Sequence, residues 1–351
     1  MKWPSLILTT LILIFPLTAC GGPENTSENT SESTADTSRL EIVKQRGSLI
    51  CGVNGEVPGF SFVDENGQYS GLDVDICRAI AAALFDDPTK VEYRKLSAEE
   101  RFTAVQSGEV DVLNRNTTWT VSRDTTNGME FAPTVFYDGQ GIMVTKASNV
   151  TEVAGLEGKS ICVLAGTTTE QNLADQMRKR GIIDYNPVVN SDVDALYAAY
   201  QEGRCEGITA DRSQLVARRS ILPTPDDHVI LDVVLSKEPL GPAVKNGDPA
   251  WFDGVKWITF SLIQAEEFGI TSENLTSFET SEDPNIRRFL GLDDKLGEGV
   301  GLPSDFAARV IKHVGNYGEI YERNVGEPLG LDRGPNQLWT EGGLLYSPPF
   351  R

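Results

Sequence analysis

LSAEERFTAVQSGEVDVLNRNTTWTVSRD, residues 96–124, is the stretch on which the fold turns. Ser97 stands at a helix N-cap position with Glu100 three residues on, the spacing of a capping box, and Gly108 supplies a usual helix stop. A helix is therefore expected over 97–107. Val110, Val112 and Leu113 then place a strand over 110–114, and polar residues follow without a helix signal as far as Arg123. Helix, glycine, strand and polar turn make one step of a βαβ series.

The same alternation extends on both sides. Upstream, strands are expected over 48–53 and 91–96, with a helix from about Asp73 to Leu84 between them. A second series starts near Gly158: strand 160–164, a Gly-Thr turn, helix 170–180, a strand near 187–190, helix 192–201 and strand 207–210. Two successive series predict an α/β protein of two lobes, each a mainly parallel sheet flanked by helices. Beyond about Pro239 the pattern becomes helical. Trp251 to Phe268 reads as one long helix, with Trp257, Phe260, Leu262, Ile263 and Phe268 on a buried face, and another runs from Asp305 to about Glu322. The last thirty residues, rich in Gly and Pro, read as an ordered extended tail, since the aromatics Trp339, Tyr346 and Phe350 argue against disorder.

The N-terminal end reads as a processing signal. Met1-Lys2 precedes an apolar run from Leu6 to Leu17, shorter than the roughly 20 residues a membrane span needs. Leu17-Thr18-Ala19-Cys20 followed by Gly21-Gly22 resembles the lipobox of bacterial lipoproteins, which implies a signal peptide over 1–19 and lipidation of Cys20. Residues 21–38 carry no large apolar side chain, so 20–39 is expected to be the lipidated cysteine and a flexible tether. Downstream, the chain is long enough for two substantial cores. A formal net charge of −20 argues against nucleic acid as a partner. Setting Cys20 aside leaves Cys51, Cys77, Cys162 and Cys205, an even number in a secreted chain. Four cysteines allow three pairings; Cys51–Cys77 and Cys162–Cys205, each within one lobe, are expected, with four reduced thiols as the alternative. No metal site is expected, since no pair has close ligand spacing and the chain has only His228 and His313. No cofactor is expected either.

Three turns carry candidate binding chemistry. Asn116, Thr118 and Arg123 lie beyond the carboxyl end of the 110–114 strand, where α/β sheets hold ligands. The arginine fork matches a carboxylate and stays charged when desolvated; taken alone, Arg123 reads more readily as a surface ion-pair residue than as a ligand anchor. Gly166-Thr167-Thr168-Thr169 opens a helix whose free N–H groups suit an anion, or is plain N-capping. Asp211 ends a strand, where it can receive an ammonium group or cap the helix that follows.

The order of these pieces resembles the polar amino-acid-binding proteins of ABC importers, solute-binding protein family 3, and within it the general L-amino-acid-binding subgroup. The resemblance is carried by GLDVDICRAIAAALF, by the stretch quoted first, and by FYDGQGIMV, AGTTTEQNLAD, CEGITADRSQL, SKEPLGP and HVGNYGEIYERNVGEPLGLDRGPNQLW. It implies a type II periplasmic-binding-protein fold with a two-segment hinge, near Asp138–Met143 and Lys237–Val244. Lobe one would comprise 40–140 plus 243–351, and lobe two 141–242. By motif, Arg123 corresponds to the carboxylate-binding arginine and Thr118 to its hydroxyl helper. Asn116 falls where the backbone faces the ligand, Thr167 and Thr168 where lobe two meets the carboxylate, and Asp211 at the α-ammonium acceptor. Asn54 stands where relatives that bind one particular side chain often carry Asp. The loop Gly55–Gly59 lacks the aromatic with which selective relatives stack on the ligand, leaving Trp119 as an apolar wall or a core residue. The resemblance further implies capture of free L-amino acids with broad specificity by cleft closure, and delivery to a permease driven by a cytoplasmic ATPase. The protein would be a monomer outside the bacterial inner membrane, held to the membrane through Cys20 in the periplasm or at the cell surface. A dehydratase acting on a cyclohexadienyl amino acid is the alternative on the same fold; with no Ser-His-Asp or Cys-His arrangement in view, a binding protein rather than an enzyme is expected.

Overall fold

A computed structural model describes residues 37–293 and 295–351. The signal peptide, Cys20 and most of the tether expected from the sequence lie outside the described residues. Helix α1 (Arg39–Arg46) leads into strand β1 (Leu49–Val53) and a small antiparallel sheet, β2 (Glu56–Val57), β3 (Ser61–Val63) and β4 (Tyr69–Ser70). Next come α2 (Leu72–Phe85), β5 (Val91–Lys95), α3 (Arg101–Ser107), β6 (Val112–Leu113), α4 (Val121–Thr125) and β7 (Met129–Phe131). The chain then crosses over through β8 (Phe136–Asp138) into β9 (Gln140–Thr145). There follow β10 (Ser160–Leu164), α5 (Thr168–Lys179), β11 (Asn186–Asn190), α6 (Val193–Gln201), β12 (Gly207–Asp211), α7 (Arg212–Ser220) and β13 (His228–Ile230). It returns through β14 (Glu238–Leu240) to β15 (Ala243–Lys245) and the long helix α8 (Pro249–Glu267).

Two five-stranded sheets result, ordered β5-β1-β6-β15-β7 and β11-β10-β12-β9-β13. In each, the three strands joined by helical crossovers are parallel, and one strand next to them, β15 or β9, runs antiparallel to both of its neighbours. The antiparallel pairs arise where the chain enters one lobe and leaves the other without a helix between. β8 and β14 themselves pair antiparallel, Asp138 opposite Glu238 and Phe136 opposite Leu240, and form the two-segment hinge.

The capping box is present: Ser97 N–H donates to Glu100 Oε1 (2.8 Å) and Glu100 N–H to Ser97 Oγ (3.2 Å). α3 ends at Gly108, whose φ of 77° suits glycine. Helix α2 is apolar nearly all round, and accordingly it is buried nearly all round, against α8 and the helix Phe306–Val314. It starts at Gly71 because no other residue fits there. With φ at 125°, a Cβ would lie 2.1 Å from the Phe60 carbonyl oxygen.

Both expected disulfides are present, with Cα separations of 6.3 Å for Cys51–Cys77 and 5.7 Å for Cys162–Cys205. They tie β1 to α2 in one lobe and β10 to the segment before β12 in the other. The helix expected over 305–322 is broken: Gly315 (φ 86°) separates Phe306–Val314 from Tyr317–Tyr321, and Asn316 and Glu319 form a fresh capping box at the second start. The C-terminal tail is ordered. Phe350 packs edge-on against Trp257 and Phe289. Asn336 acts as a strand substitute on the hinge: Tyr137 N–H donates to its Oδ1 (2.6 Å) and its Nδ2 donates to Tyr137 O (3.2 Å).

Candidate functional site

The ends of β6 and β12 bring residues of both lobes to one small cavity of about 30 Å³. Asn54, Arg101, Arg115, Asn116, Thr118 and Arg123 reach it from one side, and Leu164, Thr167, Thr168, Thr169, Ala210, Asp211 and Gln214 from the other. A space of that size holds a water or two, so entry of anything larger requires the lobes to part. Outside it lies a vestibule of about 620 Å³ that shares Thr118, Arg123, Thr167 and Thr168 with the inner cavity.

Arg123 sits on the short helix α4, capped by Thr120, and is buried rather than at the surface. Nη1 donates to the Thr118 carbonyl (2.7 Å), and the guanidinium lies over the Phe102 ring, 5.3 Å from its centroid. These two contacts aim the fork and leave further N–H groups for a ligand. Burial pulls its pKa down to about 10, against the opposing charges of Glu238 and Asp211; it remains a cation at neutral pH.

Asp211 ends β12, fully inside the protein, and makes no capping bond to α7. Burial, with the negative charges of Asp138 and Glu238 behind it, holds its pKa well above the usual carboxylate range, while Arg123 and Arg101 oppose that rise. A cation arriving at Asp211 favours the charged form over the protonated one. Arg123 and Asp211 thus present opposite charges to one space from the two lobes, a complement to a zwitterion.

Asn116 is a non-glycine residue at positive φ (34°), held there by its N–H bond to Asp73 Oδ2 (2.9 Å). Burial raises the Asp73 pKa to about 6, against that hydrogen bond. The Asn116 side chain links Asn54 (3.3 Å) to Gln214 (3.4 Å), one contact in each lobe. Thr168 opens α5 with its hydroxyl free of the cap. Thr167, by contrast, is the N-cap: its oxygen accepts from Glu170 N–H (3.1 Å) and its proton goes to Leu164 O (2.6 Å), so its hydroxyl serves the helix start.

Trp119 departs from expectation. It is 45% exposed, stacks on Phe131 and lines neither space; its backbone N–H bonds to Pro239 O (2.8 Å) beside the hinge. Thr118 reaches the site, but its hydroxyl donates to Glu238 Oε2 (2.6 Å).

Arg101, Gln214 and Glu238 were not singled out from the sequence. Arg101 is 2% exposed, its Nε has no hydrogen-bond partner, and Nη2 makes a long bond to Gly166 O (3.3 Å). Burial and the neighbouring Arg123 and Arg115 push its pKa well down. Its helix position, in AEERF ahead of an apolar face, carried no sign that it would point into the cleft. Glu238 was visible only as part of SKEPLGP.

The fold and this two-sided cleft define a two-lobed extracytoplasmic solute-binding protein. Residues 49–273 match the family of bacterial extracellular solute-binding proteins, family 3, and the chain belongs to it. It is 52% identical over 321 residues to the general L-amino acid-binding periplasmic protein AapJ of Rhizobium johnstonii, covering 90% of this chain and 94% of that one. It is 49% identical over 320 residues to the glutamate/glutamine/aspartate/asparagine-binding protein BztA of Rhodobacter capsulatus, again covering 90% and 94%. Among solved structures, a Brucella ovis ABC transporter/periplasmic binding protein with glutathione bound superposes with a TM-score of 0.88 at 50% identity, covering 90% of this chain and all of that one. The family and these relatives are solute-binding proteins, not enzymes, and nothing among them supports the dehydratase alternative.

Proposed function

We propose that this protein captures free L-amino acids between its lobes, 40–140 plus 243–351 and 141–242, and delivers them to an ABC permease with a cytoplasmic ATPase. The observation that carries this reading is the placement of buried Arg123 and buried Asp211 on one cavity from opposite lobes. The α-carboxylate goes to Arg123 and the N-terminal end of α5 at Thr168; the α-ammonium goes to Asp211. Charge-assisted hydrogen bonds of this kind are worth about 1.5–3 kcal/mol each, and they are complete only when the lobes close, so the ligand favours the closed form. Recognition through the shared head group gives broad specificity, in keeping with the name of the Rhizobium relative.

Within that breadth, Arg101, Asn54, Asn116 and Gln214 favour side chains that end in oxygen. The unpartnered Arg101 Nε asks for an acceptor, and the Rhodobacter relative is named for acidic and amide ligands. The protein works as a monomer tethered through lipidated Cys20. A second reading is supported by the 620 Å³ vestibule and the glutathione-bound Brucella structure: a short peptide that offers an amino-acid head to Arg123 and Asp211, with its extension in the vestibule. A thermal-shift screen with the proteinogenic amino acids and glutathione tests both. Many stabilising amino acids, led by glutamate and its neighbours, is the expected result; stabilisation by glutathione alone would favour the second reading, and no stabilisation by any would sink both.

A further inference from the structure

Glu238 stands beside the expected ligand contacts, yet its own bonds are all within the protein. Oε2 accepts from the Thr118 hydroxyl (2.6 Å) of one lobe and the Thr168 hydroxyl (2.9 Å) of the other. Oε1 accepts from Asn172 Nδ2 (2.9 Å), also of the second lobe, and from the Ser236 hydroxyl on the return crossing. The residue is 1% exposed, and its backbone is the first residue of hinge strand β14, opposite Asp138. One carboxylate therefore gathers donors from both lobes and from the hinge itself.

We propose that Glu238 is an interlobe latch, a carboxylate built into the hinge that holds the lobes closed and thereby sets how readily a bound ligand escapes. A hydroxyl has a single proton to give. Those of Thr118 and Thr168 go to Glu238, so these two threonines organise the closure as well as facing the ligand. The two hydroxyl oxygens lie 3.4 Å apart across the interlobe boundary. Any hinge rotation that separates the lobes pulls at least one of them off Oε2. Thr118 and Thr168 also line both the inner cavity and the vestibule, and Glu238 lines the vestibule. The latch thus lies across the way out. A residue that raises the closed population raises apparent affinity by the same factor, without touching the ligand.

The inference rests on the two-lobe closing reading above, but its test does not require that the ligand be correctly named. X-ray scattering from the amino-acid-free protein reads lobe separation, and stopped-flow tryptophan fluorescence reads ligand release. For Glu238→Ala, a larger radius of gyration than wild type without ligand and release faster by about tenfold or more are expected. Asn172→Leu, which removes one second-lobe donor from the half-buried surface of α5, is expected to speed release several-fold and serves if Glu238→Ala does not fold. If wild type binds no amino acid but Glu238→Ala still expands, the latch stands and the ligand reading falls. Unchanged scattering together with unchanged release in a folded variant, or tighter binding by Glu238→Ala, would overturn the latch; the latter would make Glu238 a competitor for the ligand's place.

Discussion

Arg101 and Asp211 are both charged residues buried at the cleft, and each yields a prediction. Arg101 is buried among like charges with Nε unpaired, a costly arrangement. Arg101→Met is expected to leave the fold at least as stable as wild type by thermal melting, while weakening glutamate and aspartate binding by about 1.5–3 kcal/mol relative to leucine or valine. Asp211 holds a proton more readily than a free aspartate, whereas a bound ammonium group favours the carboxylate. Ligand uptake must then expel a proton at pH values below the raised pKa. Affinity should rise with pH through that region, by up to about tenfold per unit, and calorimetry in buffers of different ionisation enthalpy should register the release. For folding, the sign is opposite. Asp73, raised to about 6, binds its proton more tightly in the native state, so its contribution to stability is full below the unfolded value near 4 and is lost as pH rises through 6. Arg123 and Asp211 were legible in the sequence because strand ends and motif order marked them. Arg101 and Glu238 were not, since burial of a charge at a lobe boundary depends on how two distant segments meet.

At the scale of elements, the strand–helix alternation was readable because each crossover helix carried its own start and stop signals. Ser97 with Glu100 and Gly108 marked α3 from the sequence; the Ser97–Glu100 pair closes one turn ahead of the helix, which starts at Arg101, and Gly108 ends it. The break at Gly315 comes from the same kind of signal, Asn316 with Glu319, which the reading of one helix over 305–322 passed over. The two reversed strands were less legible, because the direction of β9 and β15 is set by the hinge crossing rather than by local pattern. Gly71→Ala tests the start of α2: a Cβ there meets backbone, not a movable side chain, and a loss of several kcal/mol of unfolding free energy in urea is expected. Asn336→Leu tests the tail's role as a strand substitute. It leaves the Tyr137 N–H and C=O without their partner, for an expected loss of about 1–3 kcal/mol.

At the scale of the whole molecule, opposite charges are carried by two bodies. Arg123 comes from the lobe that also contains α8 and the C-terminal tail, Asp211 from the lobe built on β9 to β13, and the β8–β14 pair joins them. On the proposed reading, a zwitterion satisfies both only when the cleft shuts, which makes binding and closure the same event. The most direct test is calorimetric titration of wild type and Arg123→Ala with the amino acid that most stabilises the wild type, alongside their melting temperatures. The account predicts a saturable exothermic transition for wild type and none for Arg123→Ala, with the variant's fold intact. Wild-type affinity in a folded Arg123→Ala protein would contradict it.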